Sequence, residues 1–173
     1  WYQQLPIVSE NQTIVNGYII TGYKELADDM IISTGIYTRA VNSLSNDDVR
    51  VSKRLFVPSS RLRGFESGKV GPKDGNDHVC GNYVVTFNTS STIPYVLQTQ
   101  ENMDLKFFFD AANVWGVDYS SSLDDSDTIR SSTGVALEIT TPIGPLSFSF
   151  AQVLSKASTD KTETFKFQLG TTF

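Results

Sequence analysis

The sequence predicts an all-β fold, an antiparallel β-barrel whose strands cross a membrane. First, segments of strand length alternate apolar and polar side chains, and no stretch of comparable length has a helical period. Second, the short turns at 27–29 and 143–145 contrast with long polar loops at 116–130 and 155–162, an arrangement typical of outer-membrane barrels. Third, no run approaches the ~18 apolar residues of a spanning helix.

The composition excludes several classes of protein. The chain has 173 residues, enough for one domain with a core, and its net charge of -5 argues against a nucleic-acid surface, which needs a basic stripe. Its one cysteine cannot form an internal disulfide. The sequence opens on Trp1 and shows no secretory signal, so the simplest interpretation is that it is a piece of a longer chain.

The alternation is clearest in the second half of the chain. One face of each segment is apolar: Tyr83, Val85 and Phe87; Met103, Leu105, Phe107 and Phe109; Val135, Leu137 and Ile139; Leu146, Phe148 and Phe150; Phe165, Phe167 and Leu169. The chain stops on the aromatic Phe173, which a membrane interface favours. Alternation alone does not say which face of the sheet contacts water, so a soluble sandwich or a lipocalin-like barrel is the alternative to a membrane barrel.

A long connection at 42–80 interrupts the strands and contains RLRGFESGKVGP at 61–72. Arginine offers a rigid fork of hydrogen-bond donors, and Gly64 permits a turn that other residues resist. Phe65 is an apolar side chain that a loop in water would not keep by preference. Connections of this length are usually functional or disordered, and this one has the residues of a loop that inserts into a structure.

Four segments in order resemble a known family: LRGFESGKVGP, FFFDAANVWG, IRSSTGVALEITTPIGPLSFSFA and FKFQLGTTF. Together they are similar to the outer-membrane assembly factors of the bacterial surface antigen superfamily, over about 50–173. The resemblance implies a 16-stranded barrel of which residues 1–173 supply the C-terminal half, about eight strands. The other half and a string of POTRA domains would lie upstream, and 42–80 would be an extracellular loop folded into the lumen.

The same resemblance assigns roles to residues of the loop. Arg63 would be held by Asp110, which the alternation places on the polar, lumen-facing side of its strand. Gly64 would allow the tight tip and Phe65 would pack against the wall. Glu66 and Ser90 are further candidates for contacts in the lumen; Ser90 stands where family members often carry a second acidic residue.

The ending resembles the β-signal by which assembly machinery recognises client barrels. Its residues here are Phe165, Phe167, Leu169, Gly170 and Phe173. In the family the last strand faces the first across a weak seam, where a client strand would pair by β-augmentation. Gly170 would weaken pairing there, or it is a lumen-side glycine without such a role.

The implied function is the folding and insertion of client β-barrel proteins into the bacterial outer membrane, without catalysis, cofactor or metal. The expected partners are unfolded clients, accessory lipoproteins and outer-membrane lipids, with no nucleic acid and with the C-terminus in the periplasm. One alternative is a related pore that secretes a passenger polypeptide, and the number of upstream POTRA domains would separate the two. Another is a small autonomous eight-stranded barrel.

Other polar residues favour ordinary surface roles. His78 lies near Asp74 and Asp77, but one histidine with loop carboxylates is a poor metal site. The run Asp124–Asp127 lacks the spacing of an EF-hand, which indicates a solvated loop. Cys80 has no histidine placed as a base and is interpreted as a small packed residue rather than a nucleophile.

Overall fold

The structure, a computed structural model, describes residues 1–4, 13–27, 30–45, 47–94, 102–123, 127–142 and 144–170. Its strands in chain order are β1 (Tyr2–Gln4), β2 (Thr13–Ala27), β3 (Met30–Ser43), β4 (Lys73–Asp74), β5 (Asp77–His78), β6 (Tyr83–Thr92), β7 (Met103–Trp115), β8 (Arg130–Thr141), β9 (Gly144–Ser155) and β10 (Phe165–Leu169). The described helical residues form two short 3₁₀ turns, Val51–Lys53 and Ser121–Leu123. Neither these nor any other described helix has the length and hydropathy to span a membrane.

Eight strands form one antiparallel sheet in the order β1-β2-β3-β6-β7-β8-β9-β10, and β4 pairs with β5 in a separate hairpin. Each strand pairs with its neighbour along the chain, except that the segment between β3 and β6 leaves the sheet and returns. Within the described residues, β1 and β10 are the two edges of an open sheet. The predicted all-β fold of about eight strands is therefore confirmed.

The two faces of the sheet differ, as the alternation predicts for β6 to β10. We call the face that carries Asp110 the inner face and the opposite one the outer face. Large apolar side chains remain exposed on the outer face: Tyr18, Ile20, Ile36, Val85, Phe87, Phe107, Val135, Phe150, Phe165, Phe167 and Leu169. An apolar outer face on an antiparallel sheet with long strands suits lipid rather than water.

The segment between β3 and β6, residues 44–82, covers the inner face, and we call it the covering loop. β3 continues to Ser43, so this loop begins slightly later than the boundary drawn from the sequence, and it contains a hairpin of its own. It supplies buried apolar side chains that meet inner-face side chains of the strands: Val49, Leu55, Val57, Leu62, Phe65 and Val70 from the loop, and Val15, Tyr37, Val41, Val84, Ala112 and Val114 from the sheet. The core of the described chain therefore lies between sheet and loop.

Candidate functional site: the covering loop on the inner face

Arg63 and Asp110 form a bidentate ion pair between the covering loop and β7. Arg63 Nε lies 2.7 Å from Asp110 Oδ2, and Nη2 lies 2.8 Å from Oδ1. The backbone N–H of Arg63 donates a third bond, 3.1 Å, to Oδ2. The Asp110 side chain is fully buried and that of Arg63 is 15% exposed. A planar guanidinium on a carboxylate in this geometry is a strong, directional contact.

Asn88 completes the hydrogen bonding of the carboxylate. It stands opposite Asp110 in the register of β6 and β7. Its Nδ2 donates to Asp110 Oδ1 at 2.8 Å and to the Arg61 carbonyl at 2.6 Å. Each carboxylate oxygen therefore accepts two bonds, and the same amide holds the loop backbone before Arg63.

The arginine is also packed and held from neighbouring positions. Its Cζ lies 3.5 Å from the centroid of the Phe108 ring, which precedes Asp110 by two residues on the same face and is fully buried. A guanidinium over an aromatic face gains cation–π attraction. From β8, the Ser132 hydroxyl donates to the Arg63 carbonyl at 2.5 Å. Side chains from two adjacent strands, β7 and β8, thus hold Arg63 directly, while Asn88 on β6 holds the carbonyl of Arg61.

Gly64 and Phe65 form the tip of the covering loop. Gly64 has a φ of +88°, and a Cβ there would lie 3.0 Å from the Ala151 Cβ on β9. Both the backbone conformation and the space therefore favour glycine. Phe65 is 1% exposed and pairs through an isolated β-bridge with Thr162, in the connection between β9 and β10.

The two secondary candidates, Ser90 and Glu66, bond to partners other than the ion pair. The Ser90 hydroxyl lies 2.7 Å from that of Ser33 across β3 and β6, and the place beside Asp110 belongs to Asn88, two residues earlier on the same face. The strand register puts Asn88 opposite Asp110, and Ser90, opposite Phe108, stays a candidate for a contact in the lumen. The Glu66 side chain is exposed, and the backbone N–H of this residue donates to the Lys161 carbonyl at 3.0 Å.

The residues of the C-terminal segment lie at the edge strand β10. Phe165 and Phe167 are on the outer face and pack on Phe150 and Phe148 of β9, with ring centroids 4.9 and 5.1 Å apart. Leu169 is exposed on the same face. Gly170 follows the strand and is exposed, and a methyl group added to its Cα would meet none of the described atoms within 4 Å beyond its chain neighbours.

Phe173 lies outside the described residues, as does most of the acidic run Asp124–Asp127. In the described part of the chain, no three His, Cys, Asp or Glu side chains gather as metal ligands do. The His78 Nε2 lies 3.1 Å from the Thr159 carbonyl. Burial raises the pKa of the Cys80 thiol, an effect that nearby Arg54 partly opposes. A raised pKa leaves less of the nucleophilic thiolate at neutral pH.

Sequence reasoning missed two groups of this site. Asn88 could have been found, because its alternation places it on the inner face opposite Asp110 once the register is known. The second group is a buried ion pair between Arg130, at the start of β8, and Asp160, in the connection before β10. Only the arginine carried a signal, since it is the second residue of the segment of the resemblance that begins IRSSTG, and nothing in the sequence indicates which aspartate it meets.

The comparisons with known proteins identify the class of this fold. The Omp85 superfamily domain matches residues 8–173, nearly the whole chain, and the chain belongs to this family. The prediction made from the four motifs is confirmed.

Two of the relatives are named outer membrane protein assembly factor BamA. The chain is 30% identical over 132 residues to the outer membrane protein assembly factor BamA of Neorickettsia risticii, covering 75% of this chain and 18% of that protein. It is 30% identical over 131 residues to a SAM50-like protein of Schizosaccharomyces pombe, covering 70% of this chain and 26% of that protein. The chain thus spans roughly a fifth to a quarter of these relatives.

A solved structure extends the similarity to three dimensions. The crystal structure of BamA from Haemophilus ducreyi lacking POTRA domains 1–3 has a TM-score of 0.87 and 29% identity. The match covers 95% of this chain and 36% of that one. The eight-stranded sheet therefore corresponds to part of a BamA barrel.

Proposed function

We propose that this chain is the C-terminal part of the barrel of an outer-membrane protein assembly factor, which folds client β-barrel proteins and inserts them into the bacterial outer membrane. Membership of the Omp85 superfamily and the similarity to proteins named BamA support the class of activity. The apolar outer face supports the membrane location. The clients would be unfolded outer-membrane proteins, with accessory lipoproteins as partners and the C-terminus in the periplasm.

The observation that carries the proposal is the ion pair between Arg63 and Asp110 under the covering loop. In a closed barrel the inner face is the wall of the lumen, so residues 44–82 would occupy the lumen as an inserted loop. Breaking a buried bidentate pair is costly, because the partner left behind is an uncompensated charge. The loop therefore braces the wall instead of leaving a free channel.

The work on clients would take place at the edge strand. Within the described residues β10 has one hydrogen-bonded neighbour, β9, and it is five residues long against twelve for β9. An edge strand presents unpaired backbone groups to another strand. A client strand would pair there by β-augmentation, and this step needs no nucleotide, metal or catalytic residue.

The two alternatives fit less well. A pore for a passenger polypeptide needs an open lumen, whereas the covering loop is bonded to β7 and β8 and buries its apolar side chains on the sheet. An autonomous eight-stranded barrel needs β1 to pair with β10, whereas these strands are opposite edges of the described sheet.

Depletion of the full-length protein from its own cell tests the proposal. We expect the folded, heat-modifiable forms of many outer-membrane barrels to decrease together, while soluble periplasmic proteins keep their levels. If barrel levels stay constant and one secreted polypeptide accumulates inside the cell, the passenger pore is the correct function.

A further inference from the structure

Arg130 and Asp160 form a second buried ion pair, between the start of β8 and the connection before β10. Both side chains are fully buried, with Arg130 Nε 2.9 Å from Asp160 Oδ2 and Nη2 3.3 Å from Oδ1. Arg130 Nη1 also donates to Asn113 Oδ1 on β7 and to the Thr128 carbonyl, each at 3.1 Å. The guanidinium thus orients the aspartate from the first residue of β8.

Asp160 uses its carboxylate to hold two further chain segments. Its Oδ1 accepts the backbone N–H of Gly71, in the covering loop, at 3.0 Å. Its Oδ2 accepts the backbone N–H of Ala157, in its own connection, at 2.7 Å. One buried carboxylate therefore joins β8, the covering loop and the connection that enters β10. A buried charge is tolerated in a protein when it is paired and hydrogen-bonded in this way.

Beside this pair the loop tip and the connection run together as a short antiparallel strip, residues 64–69 against 161–163. Glu66 N–H donates to the Lys161 carbonyl, Lys161 N–H to the Lys69 carbonyl and Glu163 N–H to the Gly64 carbonyl, each at 3.0 Å. The strip leads directly into β10, whose Lys166 Nζ lies 3.4 Å from the Phe65 carbonyl.

We propose that Arg130 and Asp160 are positioning residues that hold this strip in place, so that the loop tip and the start of β10 are coupled and move as one unit. The ion pair of Arg63 holds the loop to the wall at β7, and Asp160 holds it to the connection before the edge strand. The proposal deepens the assembly function and rests on it for its biological use, because the edge where clients would pair is the strand that the strip precedes.

Hydrogen exchange of the full-length protein in detergent, followed by mass spectrometry of short peptides, tests the coupling. In Asp160→Ala, we expect peptides covering the strip and β10 to exchange roughly 100-fold faster, because the buried guanidinium loses the carboxylate that balances its charge. Peptides of β6 and β7 should keep their rates. The rise at β10 is the informative result, since the structure shows no contact of the Asp160 carboxylate with that strand among its described bonds.

Two variants keep the test decisive. Asp160→Asn retains the shape of the side chain and removes its charge, so it gives a smaller change in the same peptides and replaces the alanine variant if that one does not fold. Glu138→Gln is the matched control: Glu138 is also on β8 and pairs with Lys106 at 2.5 Å, but its side chain is 42% exposed and away from the strip. Its exchange should equal that of the wild type.

Wild-type exchange at the strip in Asp160→Ala and Asp160→Asn overturns the proposal. Faster exchange in the strip with unchanged exchange in β10 also overturns it, because the two segments would then not be coupled. An equal increase of the exchange rate over the whole sheet overturns it as well. These measurements need no client protein. They therefore fail or succeed separately from the assembly function, which the depletion experiment tests.

Discussion

Asn88 faces Asp110 across β6 and β7, and its side-chain nitrogen lies 2.8 Å from the Asp110 Oδ1. The same nitrogen lies 2.6 Å from the Arg61 carbonyl. A neutral amide can donate to both groups at once, which a carboxylate at this position could not do. Strand β6 therefore contributes a hydrogen-bond donor to the ion pair, and Asp110 supplies the carboxylate that binds Arg63.

Asn88→Ala should lower the free energy of unfolding by about 1–3 kcal/mol, since it leaves one carbonyl and part of a buried carboxylate without a donor. Urea unfolding in lipid vesicles measures the change. Ser90→Ala is the matched control on the same face; its hydroxyl bonds to Ser33, and its loss should cost about 1 kcal/mol or less. Equal losses in both variants would contradict the role given to Asn88.

Arg63→Ala should release the covering loop, because Asp110 then remains buried without its partner, at a cost of up to about 3–5 kcal/mol. The loop should become sensitive to protease in intact outer membranes, and the levels of folded client barrels should fall. Arg50→Ala removes an exposed arginine from the same loop and should behave as the wild type. Unchanged client levels with Arg63→Ala would mean that the ion pair between Arg63 and Asp110 has no part in assembly.

Gly64→Ala and Gly68→Ala separate backbone strain from lack of space. Both glycines have positive φ, +88° and +69°, and an alanine there costs about 1–2 kcal/mol. Only at Gly64 does the added methyl approach another chain segment, at 3.0 Å from the Ala151 Cβ. Urea unfolding should therefore show a larger loss for Gly64→Ala. The tight packing of the tip is refuted if Gly68→Ala loses as much.

Phe167→Lys and Gln168→Lys compare the two faces of β10. Phe167 is 51% exposed on the outer face, and a lysine facing the middle of the bilayer costs about 2–4 kcal/mol. Gln168 is on the inner face with its Nε2 3.4 Å from the Ser59 hydroxyl, where a charge finds polar neighbours. Heat-modifiable gel mobility should show less folded protein for Phe167→Lys only. The reverse order would place the outer face in water.

Cys80 should react slowly with iodoacetamide in the folded protein. Burial raises the pKa of its thiol, so the thiolate forms at higher pH than in the unfolded chain. The folded state retains the thiol proton to higher pH than the unfolded chain does. The contribution of Cys80 to the free energy of unfolding is therefore complete below the pKa of the unfolded chain and is lost as pH rises through the pKa of the folded protein. The pH profile of labelling, compared with that in urea, measures the shift. If the pH profiles of the folded protein and of the protein in urea coincide, the raised pKa of Cys80 is excluded.

Much of the fold follows from local pattern. In a strand, side chains alternate between faces, so Phe107 and Phe109 are separated from Phe108 and Asp110 by the sequence alone. The predicted faces of β6 to β10 agree with the observed exposure. The pairing of Arg63 with Asp110 was expected from the resemblance and not from spacing, since the two positions are 47 apart along the chain.

The sequence by itself determined the strands, their apolar and polar faces and the family. Only the tertiary structure decided which inner-face residue stands beside Asp110, because a shift of register by two residues exchanges Asn88 for Ser90 without changing the pattern. It also decided that Arg130 meets Asp160, since a loop aspartate carries no periodic signal. Both depend on contacts between segments distant in the chain, which alternation does not encode.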